Sequence, residues 1–312
     1  MRTRLPGTDL DLFPLCLGGN VFGWSADEDA SFAVLDAYVA AGGNVIDTAD
    51  TYSSWQGTDG GESETIIGSW IRARGNRDDL VICTKVGKAP GLANLRPETI
   101  RTAAERSLRR LGIDTIDLYY AHQDRDDPMP DALEAFDSLV REGKVRHLAA
   151  SNYTAARLTE ALDLQAAHGW SPFVALQPEY NLLAREAYEH EYVDLCAQRG
   201  IGTLPYFGLA RGYLTGKYRD GGPTVQSVRA GGVQQFVTER GELVLDSLSM
   251  VAGSHDVTMA AVALAWLRTR PAVVAPIASA RTPEQLADLL PMVSLELTAD
   301  EISALDDASA QP

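Results

Sequence analysis

Along this chain, short apolar runs rich in β-forming residues alternate with segments whose apolar residues recur at helical spacing, and the pair repeats eight times. The runs are LCLG (15–18), NVID (44–47), LVICTK (80–85), IDLYYA (116–121), RHLAA (146–150), FVALQ (173–177), GTLPY (202–206) and VVAPI (273–277). The helical spacing predicts amphipathic helices over 27–41, 62–74, 97–111, 130–142, 155–168, 187–198, 257–270 and 283–290. Pro97 and Pro283 suit first-turn positions, while Gly42, Gly75, Gly112, Gly143 and Gly200 suit helix ends. Successive β-then-α units of this kind predict an α/β fold, a closed (β/α)8 TIM barrel.

Ahead of the first run, residues 2–15 carry the turn signal PGTD between short β-prone pieces, which predicts an N-terminal β-hairpin closing the barrel floor. Two extra helices fit around 237–251 and 298–308. Residues 210–235 are Gly-rich without a clear period and too long for a routine connection, so they read as a lid or a binding loop. A doubly wound dinucleotide fold would place G-x-G-x-x-G straight after a strand, but Gly18-Gly19-Asn20 has asparagine where the second spaced glycine belongs. No linker or low-complexity tract divides the chain, and 1–312 reads as one domain.

Composition narrows the functional classes. A hydrophobic fraction of 45% with 22% charged residues is that of a soluble globular protein. The net charge of −16 opposes binding to nucleic acid or an anionic membrane, both of which call for clustered Lys and Arg. No apolar stretch has the length of a signal-peptide core or a membrane span, so the expected location is cytoplasmic. Cys16, Cys83 and Cys196 are far apart within apolar stretches, which reads as buried thiols rather than disulfides, and no metal-type pairing of ligands is present.

In such barrels chemistry sits at the C-terminal ends of the strands. Here those positions hold Asn20, Asp47, Lys85, His122, Ser151 with Asn152, Gln177 and Tyr206, with Arg281 just past the eighth run. Singly, each has an ordinary structural reading: Asp47 and Lys85 as an ion pair, Tyr52 as an amphipathic loop residue, His122 as a core histidine. Together they suit a proton donor. Tyr52 follows Asp47 by five residues, near enough for its phenol to return over the barrel mouth. A free tyrosine has a pKa of about 10, and the expectation is that Lys85 lowers it by stabilising phenolate, with Asp47 holding Lys85 and His122 bonding the substrate oxygen.

NVIDTADTYS (44–53), ICTKVG and LYYAHQ resemble the segments that carry the catalytic residues of the aldo-keto reductases. The resemblance runs on through ASNY (150–153), LQPEYN (176–181), the stretch from Tyr206 to LTGKY, and ASARTPEQL (278–286), in the family's order over nearly the whole chain. It implies a small-molecule aldehyde or ketone reduced by hydride from NADPH. Tyr52 would be the general acid, with Asp47, Lys85 and His122 completing the catalytic set. It further implies that Ser151, Asn152 and Gln177 hold the nicotinamide carboxamide and that Tyr206 stacks on its ring. Leu209, Lys217, Ser279, Arg281 and Gln285 fall at the phosphate loops, Arg281 suiting the 2′-phosphate, and Gly19, Asn20 and Asp288 complete the expected cofactor contacts. The chain departs from the family's pattern at Leu289 after Asp288, at Ala278-Ser279 and at Gly208-Leu209.

Two rival readings remain beside this one, a cofactor-binding subunit and another kind of barrel enzyme, either an aldolase or a metal-dependent hydrolase. Channel-associated members of the same family bind NADPH as regulatory subunits with little turnover. A Schiff-base aldolase would use Lys85 as nucleophile, whereas a metal hydrolase would want histidines grouped at strand ends, and His147, His168, His190 and His255 are scattered outside them.

Overall fold

The computed structural model describes residues 2–219 and 232–310. Eight parallel strands form the predicted barrel: β3 (Cys16–Gly18), β4 (Val45–Asp47), β5 (Val81–Val86), β6 (Ile116–Ala121), β7 (Val145–Ser151), β8 (Phe173–Gln177), β9 (Gly202–Thr203) and β10 (Ile277–Ala278). They pair in chain order, and β10 pairs with β3. Backbone bonds from Thr203 N to Ala272 O (2.7 Å), Val274 N to Thr203 O (2.9 Å) and Ile277 N to Pro205 O (2.8 Å) close the remaining seam.

The last two strands are shorter than their apolar runs because Pro205 and Pro276 sit inside GTLPY and VVAPI. A proline has no N–H for the ladder, so pairing there reduces to single bridges, Thr203 with Val273 and Tyr206 with Glu179.

Around the sheet run α1 (Glu28–Ala40), α2 (Glu62–Arg74), α3 (Pro97–Leu111), α4 (Met129–Arg141), α5 (Ala155–His168), α6 (Val193–Arg199), α7 (Glu239–His255), α8 (Met259–Arg268), α9 (Pro283–Leu289) and α10 (Ala299–Ser309). Gly75 and Gly112 end α2 and α3 in the left-handed conformation that the sequence anticipates. One helix differs: where 187–198 predicts a single helix, a wider turn over Tyr188–Tyr192 precedes α6. That turn places two tyrosines inward. Tyr188 stacks on Tyr180 at 4.1 Å and donates to Pro271 O at 2.7 Å, while Tyr192 donates to Tyr153 O at 2.8 Å. The helix expected at 237–251 begins later, where the Thr238 hydroxyl accepts from Gly241 N at 3.0 Å.

The hairpin, β1 (Thr3–Arg4) with β2 (Asp11–Leu12), does close the floor. Its Leu5, Leu10 and Leu12 pack with Cys16, Val45, Cys83, Leu118 and Leu204 in one buried cluster inside the barrel. All three cysteines are free and buried. Of the Gly-rich stretch, Ala210–Thr215 forms tight turns, and 220–231 lies outside the described residues. No single helix among the described residues is long and apolar enough to cross a membrane; only the pair α7 and α8, bent by 96°, passes by length and composition together.

Candidate active site

A strand's side chains alternate faces, so a residue two beyond an inward-facing one also points inward. Val45, Cys83, Leu118, Ala149 and Ala175 all belong to the interior cluster. Two residues further on stand Asp47, Lys85, Tyr120, Ser151 and Gln177, and the step after buried Tyr120 is His122. Strand parity alone therefore lifts these polar groups to the top layer of the barrel. The same count carries Cys16 through Gly18 to Asn20, Leu204 to Tyr206, and Ile277 to Ser279.

At the centre Lys85 is fully buried and Asp47 is 2% exposed. The Lys85 ammonium donates to Asp47 Oδ2 at 2.6 Å, to Thr48 O at 2.7 Å and to the Tyr52 hydroxyl at 3.0 Å. Tyr52 in turn donates to Asp47 Oδ2 at 3.1 Å, and Gln177 Nε2 donates to Asp47 Oδ1 at 2.8 Å from across the barrel. Burial opposes a charge on Lys85, but the Asp47 carboxylate and the Tyr52 oxygen outweigh it and raise its pKa. A lysine held charged offers no free lone pair, which argues against the Schiff-base reading.

Tyr52 departs from the expectation. Burial and the Asp47 charge push its pKa above the ordinary tyrosine value, and Lys85 only partly offsets them. His122 goes the other way: burial, then Lys85, Lys88 and Arg125, hold it well below the usual histidine range, so it is neutral at pH 7. Its ring lies edge-on to Tyr52 with centroids 6.4 Å apart, and Nδ1 is buried without a partner among the described residues.

Above this floor opens a cleft of about 620 Å³. It is lined by Asp47, Tyr52, His122, Ser151, Asn152, Gln177 and Tyr206 at one end and by Leu209, Lys217, Ser279, Arg281, Gln285 and Asp288, from the loops after the last two strands, at the other, with Asn20 beside Ser279. Lys85 lies beneath it. Gly19 stands apart: a side chain there would meet Ser63 Oγ at 2.8 Å and Asp47 O at 3.1 Å, and it is Gly18 that faces the cleft. Gly18 keeps β3 close to the last strand, since a Cβ there would lie 2.6 Å from Ser279 Oγ. Ser279 Oγ donates to Asn20 Oδ1 at 2.7 Å.

At the first end, Asn152 has a left-handed backbone (φ 56°), which asparagine tolerates, and its amide donates to His122 O at 2.8 Å while accepting from the Tyr206 hydroxyl at 2.8 Å. Ser151 Oγ donates to Gln177 O at 2.9 Å. At the second end Arg211, Lys217 and Arg281 take part in no ion pair among the described residues, and Arg211 Nε is buried without a partner. Arg281 is held by its backbone, its N donating to Gln285 Oε1 at 3.0 Å. Glu179 acts electrostatically on Arg211, but three cations lining one cleft in a chain of net charge −16 suit an anion. Arg211 was not legible in the sequence because it sits in the period-free stretch, where no parity argument applies. No group of three His, Cys, Asp or Glu side chains comes together as a metal site among the described residues.

The profile described as the Aldo/keto reductase family matches residues 14–310. Norsolorinic acid reductase B of Aspergillus parasiticus is 31% identical, over 98% of this chain and 83% of that protein. An uncharacterized oxidoreductase of Bacillus subtilis, YrpG, is 32% identical, over 99% of this chain and 96% of its own length. An aryl-alcohol dehydrogenase of Pestalotiopsis microspora is 28% identical, over 98% of this chain and 81% of that protein.

The Lys85–Asp47 pair generates a stability prediction. Lys85→Met leaves the Asp47 carboxylate buried without its cation and lowers stability by about 3–5 kcal/mol, the usual cost of breaking a buried pair from one side. Adding Asp47→Asn recovers part of that loss. Chemical denaturation of the parent, single and double variants measures both; a Lys85→Met protein as stable as the parent would overturn the buried-pair reading.

Proposed function

The chain belongs to the aldo/keto reductase family, and from that premise we propose that it is an NADPH-dependent carbonyl reductase acting on a small-molecule aldehyde or ketone. One observation carries the proposal: a phenol, an ammonium and a carboxylate lie within 2.6–3.1 Å of one another beneath a neutral histidine, at the floor of a cleft whose far end is cationic.

The hydride is supplied by the nicotinamide of a bound NADPH. Ser151, Asn152, Gln177 and the Tyr206 ring are the residues that would hold that ring, since a primary amide needs both donors and acceptors. Arg281, Lys217 and Arg211 suit the phosphates, Arg281 with the planar fork that matches a 2′-phosphate. Leu209, Ser279, Gln285 and Asp288 line the remainder of that end, and Asn20 orients Ser279.

Tyr52 is the proton donor. A carbonyl oxygen placed between its hydroxyl and the His122 ring receives a bond from each, and as negative charge builds on that oxygen the Tyr52 proton moves to it. Lys85, already donating to the phenol oxygen, stabilises the phenolate left behind, and Asp47 keeps the ammonium aimed there. His122, being neutral, orients rather than protonates. The family's regulatory-subunit reading predicts NADPH binding without turnover, so turnover itself separates the two.

Three outcomes are expected. Tyr52→Phe keeps the ring and removes the acid, so kcat falls roughly 10² to 10⁴-fold, the usual contribution of a positioned acid, while NADPH affinity changes little. Fluorescence titration beside steady-state turnover measures this, and turnover within about threefold of the parent would sink the assignment.

The second concerns pH. An acid with a raised pKa loses activity only as pH rises through that raised value, and a histidine with a depressed pKa adds no limb near its ordinary 6.5. The reductive kcat/KM should therefore stay level from about pH 6 to about pH 9. An inflection inside that window, persisting with several aldehydes, contradicts the assigned protonation states.

The third is cofactor choice. NADPH binds more tightly than NADH, and Arg281→Ala narrows the gap by roughly tenfold, because it removes a charge-assisted bond that only the 2′-phosphate makes. Equal affinity of the parent for both cofactors would refute it.

A further inference from the structure

One cation in the cleft has no role in the reading above. Lys88 follows β5 three residues after Lys85, is half-buried, and lines the cleft with Tyr52 and His122. Its loop is fixed from two sides. Thr51 Oγ1 donates to Lys88 O at 3.4 Å, and Arg125, from the segment after His122, donates twice to Gly87 O at 3.1 and 2.8 Å.

The ammonium itself has no hydrogen bond and no ion pair among the described residues. The charges that bear on it are Arg125 and Lys85, both positive, and with burial they push its pKa below the ordinary lysine value. Two other cations near it have carboxylate partners, Lys85 in Asp47 and Arg157 in Asp124 at 2.7 Å, whereas Arg125 bonds only the Gly87 carbonyl among the described residues. A half-buried ammonium beside a second cation and with no carboxylate partner carries a desolvation cost that an incoming anion relieves.

Position decides what the anion belongs to. Lys217, Arg211 and Arg281 stand on the loops after the last two strands, whereas Lys88 stands on the loop after β5 and its charge acts on His122. Next to Tyr52, outside the cleft lining itself, stand two further rings: Trp55 lies 6.2 Å from Tyr52 and 5.2 Å edge-on from Trp24, ring centre to ring centre. We propose that Lys88 is a specificity-determining residue that binds a carboxylate carried by the substrate, so that the preferred substrates are anionic carbonyl compounds with an apolar or aromatic body. This rests on the carbonyl-reductase reading for its chemistry, but the anion site itself is testable without turnover.

The probes are 4-formylbenzoate and its methyl ester, which share ring and carbonyl and differ in charge. Two quantities are measured on the parent, Lys88→Met and Lys88→Arg: kcat/KM with NADPH, and probe dissociation constants from tryptophan fluorescence with and without NADP+. The parent favours the acid by roughly tenfold or more in both, as a charge-assisted bond predicts. Lys88→Met cuts the acid-to-ester ratio at least fivefold, and Lys88→Arg restores it.

A parent that treats acid and ester alike, or a Lys88→Met variant that keeps the preference, overturns the proposal. So does a Lys88→Met variant that weakens NADPH binding with an unchanged ratio, because Lys88 is then a cofactor contact. Acid binding that depends on Lys88 without reduction of either probe upholds the anion site and sinks the reductase reading. Reduction of both probes with equal efficiency does the reverse.

Discussion

A fully buried ammonium fixes the mouth of this barrel. Lysine carries three N–H donors and no acceptor, and at Lys85 all three are satisfied within 3.0 Å, by Asp47, Thr48 O and Tyr52. Burying the charge without such partners would cost several kcal/mol, so the partners' positions are not independent. Asp47 is held in turn by Gln177 from the other side of the ring. One charge thereby ties together β4, β5, β8 and the loop bearing Tyr52, and the phenol's place in the cleft follows from that arrangement more than from its own packing.

Strand parity explains how much of this was legible beforehand. Once the eight runs are read as strands with apolar interiors, the two-residue step assigns Asp47, Lys85, Ser151 and Gln177 to the top layer with no further information. What parity cannot reach was read less well. The prolines of GTLPY and VVAPI shorten the last strands, because an apolar pattern reports burial and is blind to a missing donor. The wide turn at Tyr188–Tyr192 answers to tertiary contacts with Thr203, Pro271 and Tyr153, which no local period records. Gly19 and Gly18 were not distinguished by the sequence, since which of two adjacent glycines faces a cleft depends on the neighbouring strand. Arg211 and Lys88 lie in loops and were missed for the same reason.

The charge distribution gives the cleft its character. A net −16 spread over the surface repels anions in general, yet the cleft gathers Lys88 near one end and Arg211, Lys217 and Arg281 at the other. Low-dielectric walls concentrate such local fields, which on the proposed reading lets the cleft take an anion although the protein as a whole is acidic. The two ends are separable in purpose. Cations at the far end stand on loops after the last two barrel strands, whereas Lys88 stands on the loop after β5, so changes to one set leave the other's backbone untouched.

The raised pKa of Tyr52 looks at first like a defect in an acid. A donor works best when its pKa lies near the operating pH, and the expectation from sequence was that Lys85 would bring the phenol down. The structure reverses that balance because the carboxylate that anchors Lys85 bonds the phenol too, and because the protein around the phenol disfavours its charged form. On the proposed reading the reversal is tolerable. The acceptor is an oxygen becoming an alkoxide, which is far more basic than a phenolate, so the proton still moves downhill once charge has built up. Before that moment a tightly held proton prevents the cleft floor from carrying a phenolate, whose negative charge would repel an anionic substrate lodged beside Lys88. Lys85 then acts late, on the phenolate, where a preorganised ammonium is worth most. The same Asp47 oxygen that raises the phenol's pKa thus holds the group that stabilises its conjugate base.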